Sequence, residues 1–217
     1  MKNKLVTTKK MQKRGRPRGF DVDSAIATAL ELFHRRGYDG VGIAELSKSI
    51  GITAPSLYAA FGNKRSLFEQ VLKRYAQTSG GWLPAVLAQE GELEEIIADF
   101  FLRAAEVYTA DADCCGCLIM DATRNCSDEA AKALTDGFKL ATRQLICDRL
   151  KAGSSDLSAS AVEALANYIC MVLVGLSGSA RDGMDAAQLK AAAEIASKGF
   201  NQQLQQYRIQ QHQGNDR

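Results

Sequence analysis

Four cysteines are the side chains of this 217-residue chain with the clearest capacity for chemistry: Cys114, Cys115, Cys117 and Cys126. Thiolates at this spacing could bind a soft metal ion, Cu(I) or Zn(II), or form a redox pair. We expect a short helix directly after the first three, whose N-terminus would lower the pKa of a thiol. The alternative is that all six cysteines are small apolar residues of the core. No βαβ pattern surrounds them, so we predict no enzyme, no cofactor and no firm metal site.

The N-terminus is suited to a different kind of chemistry, the binding of a polyanion. Residues 1–18 carry eight Lys or Arg residues and no acidic residue, whereas residues 80–217 carry twelve basic and nineteen acidic residues. This asymmetry predicts an anionic partner at one end of the molecule. Arg14, Gly15, Arg16 and Pro17, followed by Arg18, match the core of an AT-hook, in which arginines lie along a narrow, A·T-rich minor groove. The alternative is an unstructured basic tail that raises nonspecific affinity.

Two short helical segments, residues 43–50 and 54–61, match a helix-turn-helix. They meet at Gly51, and glycine permits the tight reversal that this motif needs. The second segment would present small side chains, so that its backbone could approach base edges in a major groove: Thr53, Ala54, Ser56, Ala59 and Ala60. Tyr58 and Lys64 flank this segment, and we expect both to contact phosphates.

The elements that must position these side chains are helices. The chain contains three prolines, none of them after Pro84, and no alternating β-branched pattern, so we predict an all-α protein. The periodicity of apolar residues predicts helices over residues 20–37, 43–50, 54–61, 64–78, 92–110, 128–151, 158–181 and 185–207. We expect a break at Gly80, Gly81 and Pro84 and a frayed tail beyond Tyr207.

The composition is that of an ordinary globular protein, with 46% hydrophobic and 24% charged residues. The longest apolar run, Tyr168 to Leu176, is shorter than a membrane helix requires, and no apolar stretch follows the basic N-terminus as in a secretory signal. We therefore predict a cytoplasmic protein with reduced cysteines and no membrane partner. The segment 158–181 is apolar nearly all round, which predicts that it pairs with 185–207 and with their copies in a homodimer.

Residues 19–72 resemble the DNA-binding domain of the TetR family of bacterial transcriptional repressors. The matching marks are LF..RGY at the end of the first helix, the I..L....GI core, and the LY..F...K..LF run after it. The resemblance extends over about residues 16–79. It implies that Thr53, Pro55 and Ser56 read bases or backbone and that Tyr58 and Lys64 contact phosphates.

The sequence departs from the family's pattern at two places in this region. The family usually has Thr or Ser at the start of the second helix, where this chain has Val41 and Gly42, so only the Gly42 amide is left to contact a phosphate. An aromatic residue or histidine that often precedes Phe61 is replaced by Ala60, which leaves fewer side chains to read the groove.

The resemblance also implies the domain organisation and the partners. We predict a basic arm over residues 1–18, a DNA-binding domain over 19–79 and an effector-binding and dimerisation domain over 80–210. An apolar effector pocket would be lined by six residues that could equally be plain core: Trp82, Phe100, Phe101, Tyr108, Met120 and Phe138. The predicted function is a homodimeric repressor that binds a palindromic operator in double-stranded DNA and is released by an unknown small molecule. The alternative function is a thiol or soft-metal sensor that acts through the four cysteines.

Overall fold

The computed structural model describes residues 20–215, with side chains through residue 211. Within that range the chain forms ten helices and no strand, which confirms the predicted all-α class: α1 (Val22–Arg36), α2 (Ile43–Ile50), α3 (Ala54–Phe61), α4 (Lys64–Gln77), α5 (Trp82–Leu87), α6 (Leu93–Thr109), α7 (Leu118–Asp121), α8 (Glu129–Gly153), α9 (Ala159–Arg181) and α10 (Ala186–Asn215). The basic arm, with Arg14, Arg16 and Arg18, lies outside the described residues.

Several helices begin at a side chain that accepts a hydrogen bond from the first turn. Asp21 caps α1 and Asn63 caps α4, where the Asn63 side-chain oxygen accepts from the Ser66 amide at 2.9 Å. Asp128 caps α8 and Ser158 caps α9. These residues satisfy backbone N–H groups that have no partner inside the helix, and they fix where each helix begins.

The first four helices form a small bundle around the aromatic side chains of α1 and α4. Phe33 and Phe68 are fully buried, with ring centroids 5.0 Å apart in an edge-to-face arrangement. In the rest of the molecule α6 packs against α9 and α10, and α8 packs against α9. Helix α4 belongs to the small bundle but also contacts α7 and α8. It therefore connects the two parts of the molecule.

Two details of the sequence prediction are wrong. The predicted break around Pro84 contains the short helix α5, which tolerates proline because the amide of a first-turn residue needs no partner inside the helix. The last helix does not end at Tyr207 but continues to Asn215. Arg208 lies in this extra length, and its Nη1 donates to Glu94 Oε1 at 2.5 Å, which holds it against α6.

Of the described helices, α9 is long and apolar enough to cross a membrane by length and composition, with a mean hydropathy of 1.7 over its most apolar window. Leu165, Ile169 and Leu173 on this helix are nevertheless buried inside the protein. The helix contacts α6, α8 and α10. A helix in the core of a helical domain has the same composition, and with 39% of its most apolar window buried the core accounts for part of its apolar character.

Candidate nucleic-acid interface

Helix α3 is the second helix of the helix-turn-helix, the one that the sequence analysis assigned to groove reading. Its apolar side is held by Leu57 and Phe61, which are buried in the small bundle. Its N-terminus is capped by Thr53, whose Oγ1 accepts from the Ser56 amide at 3.3 Å and lies 2.9 Å from Ser56 Oγ. Gly51, in the turn before it, has a φ of +77°, in the left-handed region that favours glycine.

The outer side of α3 presents short side chains to solvent. Thr53, Pro55, Ser56 and Tyr58 are exposed, and Ala54 is half-buried. With no long side chain along this face apart from Tyr58, the helix backbone can lie deep in a major groove. Ala59 is also exposed, and Ala60 is half-buried. The structure therefore places on or beside one surface the seven residues that the sequence analysis assigned to α3 and its cap.

An open groove of about 560 Å³ runs beside this surface, between the end of α2 and α3. It is lined by Thr53, Ser56, Ala59 and also by Lys48, which the sequence analysis did not single out. Lys48 is exposed in the last turn of α2. It therefore brings a positive charge to the edge of this groove. Lys48 could have been identified from the sequence, because it lies on the polar face of the predicted helix 43–50.

Tyr58 and Lys64 line a second groove of about 340 Å³ together with Tyr38 and Arg65. The Lys64 ammonium lies 4.0 Å from the centroid of the Tyr38 ring, a cation–π contact. Partial burial lowers the pKa of Lys64 from its usual 10.5, while Asp39 acts in the opposite direction. Arg65, exposed beside Lys64, adds a positive charge that the sequence analysis overlooked.

Gly42 is the N-cap of α2 and provides no side-chain hydrogen bond to that helix. It is exposed and has open space around its Cα. An uncapped helix start leaves backbone N–H groups available to an anion, and the expected phosphate contact at this position stays a prediction. Glu45, in the same first turn, is paired with Arg36 of α1, so its negative charge is partly offset.

A buried polar network joins the small bundle to the rest of the molecule. Arg181, the last residue of α9, donates from Nη2 to the His34 carbonyl oxygen at 2.7 Å and from Nε to Asp121 Oδ2 at 2.9 Å. Ser177 Oγ donates to the same carboxylate oxygen at 2.5 Å. The Asp121 side chain is only 4% exposed, so the buried carboxylate is stabilised by these donors and by Arg124 rather than by water.

His34 is the member of this network that belongs to α1. Its Nε2 lies 3.1 Å from the Gly116 carbonyl oxygen, and its ring packs edge-on against Tyr75 of α4 at 5.6 Å. Burial lowers the pKa of His34 to about 4, and the nearby Arg181 charge acts in the same direction. The imidazole is therefore neutral at pH 7, and its Nε2–H donates to the carbonyl.

Glycines allow the two parts to approach each other at this joint. At Gly37, φ is +69° and an added Cβ would lie 3.1 Å from the Ala122 carbonyl oxygen. At Gly116, φ is +79° and an added Cβ would lie 2.9 Å from the Ser177 carbonyl oxygen and 3.0 Å from Arg181 Nε. A larger side chain at either position would force the backbones apart.

An apolar cavity of about 150 Å³ lies next to α4, between α5, α6, α7 and α8. Four of the six predicted pocket residues line it: Trp82, Tyr108, Met120 and Phe138. The other two, Phe100 and Phe101, do not line it, because they are fully buried on α6, with the Phe100 ring behind Trp82 at 5.2 Å. Tyr75 of α4 also lines the cavity and was not identified from the sequence.

The cysteine cluster does not form a common site in the structure. Across residues 20–211 no group of three or more His, Cys, Asp or Glu side chains could hold a metal ion. Cys115 Sγ donates to the Asp111 and Ala112 carbonyl oxygens, and Cys126 Sγ donates to Asp39 Oδ1 at 3.2 Å. The alternative function as a metal or thiol sensor therefore has no structural support.

The expected lowering of a thiol pKa is wrong. The helix after the cluster, α7, has four residues, and its Ile119 and Met120 amides act to lower the pKa of Cys117, but burial outweighs them. Burial is the largest influence on the pKa of Cys114, Cys117 and Cys126 and raises it in each case. These thiols are protonated at neutral pH, whereas a reactive or metal-binding cysteine needs the thiolate.

Residues 25–71 match a family model described as "Bacterial regulatory proteins, tetR family". The HTH-type transcriptional repressor BdcR of Escherichia coli (strain K12) is 31% identical over 202 residues, which cover 93% of this chain and all of BdcR. The HTH-type transcriptional repressor ComR of the same organism is 33% identical over 193 residues, which cover 84% of this chain and 89% of ComR.

A solved structure of a cysteine-substituted TetR family transcriptional regulator, CifR, complexed with 26-bp double-strand operator DNA, is also similar. It is 34% identical, with a TM-score of 0.78, and the match covers 84% of this chain and 98% of CifR. The likeness to these proteins therefore includes the helices beyond the helix-turn-helix.

Proposed function

This chain belongs to the tetR family of bacterial regulatory proteins, and we propose that it is a repressor that binds a palindromic operator as a homodimer and is released by a small molecule. The chain is a DNA-binding transcriptional regulator. The observation that best supports the proposal is the exposed face of α3, which combines a Thr53 cap with the short side chains of Pro55, Ser56 and Ala59. As a regulator of this kind it would act in the cytoplasm.

In the proposed complex α3 enters the major groove and positive side chains around it contact the backbone. Thr53, Ala54, Pro55 and Ser56 would lie against bases or sugar edges. Tyr58, Lys64 and the Gly42 amide would hold phosphates on one side, with Lys48 on the other. Arg14, Arg16 and Arg18 of the arm would follow the adjacent minor groove, where a narrow A·T-rich sequence attracts arginine.

Release of the operator would follow from a shift between two arrangements of the dimer. Two recognition helices must lie about 34 Å apart to enter successive major grooves. Helix α4 connects the cavity to the small bundle, because Tyr75 lines the cavity and contacts His34 of α1. An effector that binds better when α4 is displaced would change the spacing and lower operator affinity.

The experiment is a binding titration with a labelled duplex from the promoter region of the protein's own gene, against a scrambled duplex of equal length. We expect Ala59→Glu to weaken promoter binding by about tenfold or more, because it places a negative charge and a long side chain against the groove. Ala152→Glu, at an exposed position near the C-terminal end of α8, is the matched control and should bind like the unaltered protein. Equal affinity of the unaltered protein for both duplexes would overturn the proposal.

A further inference from the structure

We infer that the cavity beside α4 takes an uncharged molecule about the size of one aromatic ring. This inference rests on the proposed function, since it names the class of the effector. It follows from the volume of the cavity, from the chemistry of its lining and from its position against the small bundle.

The volume indicates the size of molecule that fits inside the cavity. At about 150 Å³ the cavity has the size of an engineered protein cavity that binds benzene, and it is too small for a fatty acyl chain or a fused-ring system without rearrangement. Trp82, Phe138, Tyr75 and Tyr108 contribute aromatic surface, and Met120 contributes a thioether. Such a lining favours a flat ring through offset or edge-on stacking and sulfur–aromatic contacts.

The lining also excludes a charged ligand. None of the residues around the cavity is Asp, Glu, Lys, Arg or His. The polar groups are the hydroxyls of Tyr75, Tyr108 and Thr142 and the Cys117 thiol. Burial raises the pKa of Tyr75 and of Tyr108 well above the usual value, so both are neutral hydroxyls. A carboxylate or ammonium group would lose its hydration here without gaining an opposite charge.

A neighbouring cleft provides an internal contrast. It has a volume of about 380 Å³, shares Tyr75 and Trp82 with the cavity, and is lined by Glu31, Arg103 and Asp111. Charged groups are therefore available just outside the aromatic wall and absent inside it. A ligand with one weakly polar substituent, such as a hydroxyl, could direct it towards the tyrosine hydroxyls while its ring fills the apolar space.

Calorimetric titration of the DNA-free protein with three compounds that share one ring tests this inference. Benzyl alcohol should bind. Benzoate and benzylammonium should have affinities lower by about tenfold or more, because each brings a charge into the apolar cavity. The single tryptophan of the chain, Trp82, lines the cavity, so benzyl alcohol should also change the tryptophan fluorescence. Equal affinity for the charged compounds, or no binding of benzyl alcohol, would overturn the inference.

A size variant makes the test independent of any single compound. Met120→Ala enlarges the cavity, and we expect it to gain affinity for naphthylmethanol, the two-ring analogue, by about tenfold or more over the unaltered protein. Leu140→Ala, at an exposed position of α8, is the matched control and should leave both affinities unchanged. Tighter binding of naphthylmethanol than of benzyl alcohol by the unaltered protein would contradict the size limit.

Operator release is measured separately, with the promoter duplex bound. If benzyl alcohol binds the free protein but does not release DNA, the cavity has the inferred chemistry and the effector-controlled part of the proposed function fails. If benzyl alcohol does not bind while promoter binding is intact, the inference fails and DNA recognition stands. The two proposals are therefore separable.

Discussion

At the scale of single residues, His34 links the pH to the stability of the joint between the two parts. Its imidazole is buried, donates to the Gly116 carbonyl and lies near the Arg181 guanidinium, so the neutral form is preferred in the folded protein. The unfolded chain has an ordinary histidine pKa near 6.5, above the folded value of about 4. The unfolded state therefore binds the proton first, and the stabilisation is lost as the pH falls through this window.

We expect the free energy of unfolding to decrease by about 2 kcal/mol between pH 7.5 and pH 5 because of His34. His34→Gln, which keeps a donor for the Gly116 carbonyl but does not titrate, should remove most of this dependence. Chemical denaturation at several pH values measures it. Aspartates with lowered pKa values, such as Asp39, act mainly below about pH 5, because their unfolded value is 3.8. Parallel pH profiles for the two proteins would contradict the prediction.

The sequence predicted residues whose role is local and missed those whose role depends on distant partners. Thr53 and Ser56 could be assigned because a cap and an exposed helix face follow from neighbouring residues. Arg181 could not, since it bonds to His34, a residue 147 positions away in the chain. The predicted cysteine site failed for the same reason, because closeness in sequence does not bring Cys115 and Cys126 together in one site.

At the scale of elements, the end of α1 is held by the end of α9 and by α7. The Tyr38 amide donates to the Ala122 carbonyl oxygen at 2.7 Å, which adds a backbone bond to the one that Arg181 makes with the His34 carbonyl. These contacts fix the angle at which the small bundle leaves the larger part. Elements of regular periodicity could be predicted from the sequence, whereas α5 could not, because six residues containing a proline carry too little pattern.

We expect Arg181→Met to lower the free energy of unfolding by about 2–3 kcal/mol, because it leaves the buried Asp121 carboxylate without its main cation. Urea denaturation measures the change. Arg124→Met is the matched control: Arg124 also pairs with Asp121, but its side chain is 51% exposed, so the loss should stay below about 1 kcal/mol. Adding Asp121→Asn to Arg181→Met should recover part of the loss. Equal effects of the two arginine substitutions would show that the joint is not held as described.

At the scale of the whole molecule, α9 and α10 leave apolar side chains on the outside of the single chain. Met171 is 68% exposed and Ile195 is 70% exposed, although both lie on helices whose other faces are buried. We propose that these residues on two adjacent helices form a protein–protein contact, and a second copy of the chain is the partner that the proposed dimer requires.

We expect the double substitution Met171→Glu and Ile195→Glu to convert a dimer into a monomer with native helix content. The two negative charges would be desolvated against their copies in a twofold interface. Sedimentation gives the mass, and the promoter titration should show affinity reduced by about tenfold or more, since one half-site is then bound without the other. Leu140→Glu, at a site 67% exposed on α8, is the control and should stay dimeric. A double variant that remains a dimer would refute the assignment of this surface.

The sharing of α4 between the two parts has a consequence for engineering. A chimeric regulator would be made by joining the small bundle of this protein, α1 to α4, to the effector-binding part of a relative. The surface of that fragment includes His34, Gly37 and Tyr75, each fitted to a specific partner on the other side of the joint. Grafts that cut the chain after α4 should therefore lose responsiveness unless the recipient also provides the counterparts of Asp121, Ala122 and Arg181. Helices α1 to α4 are therefore not an independent module that can be exchanged by cutting the chain at a linker.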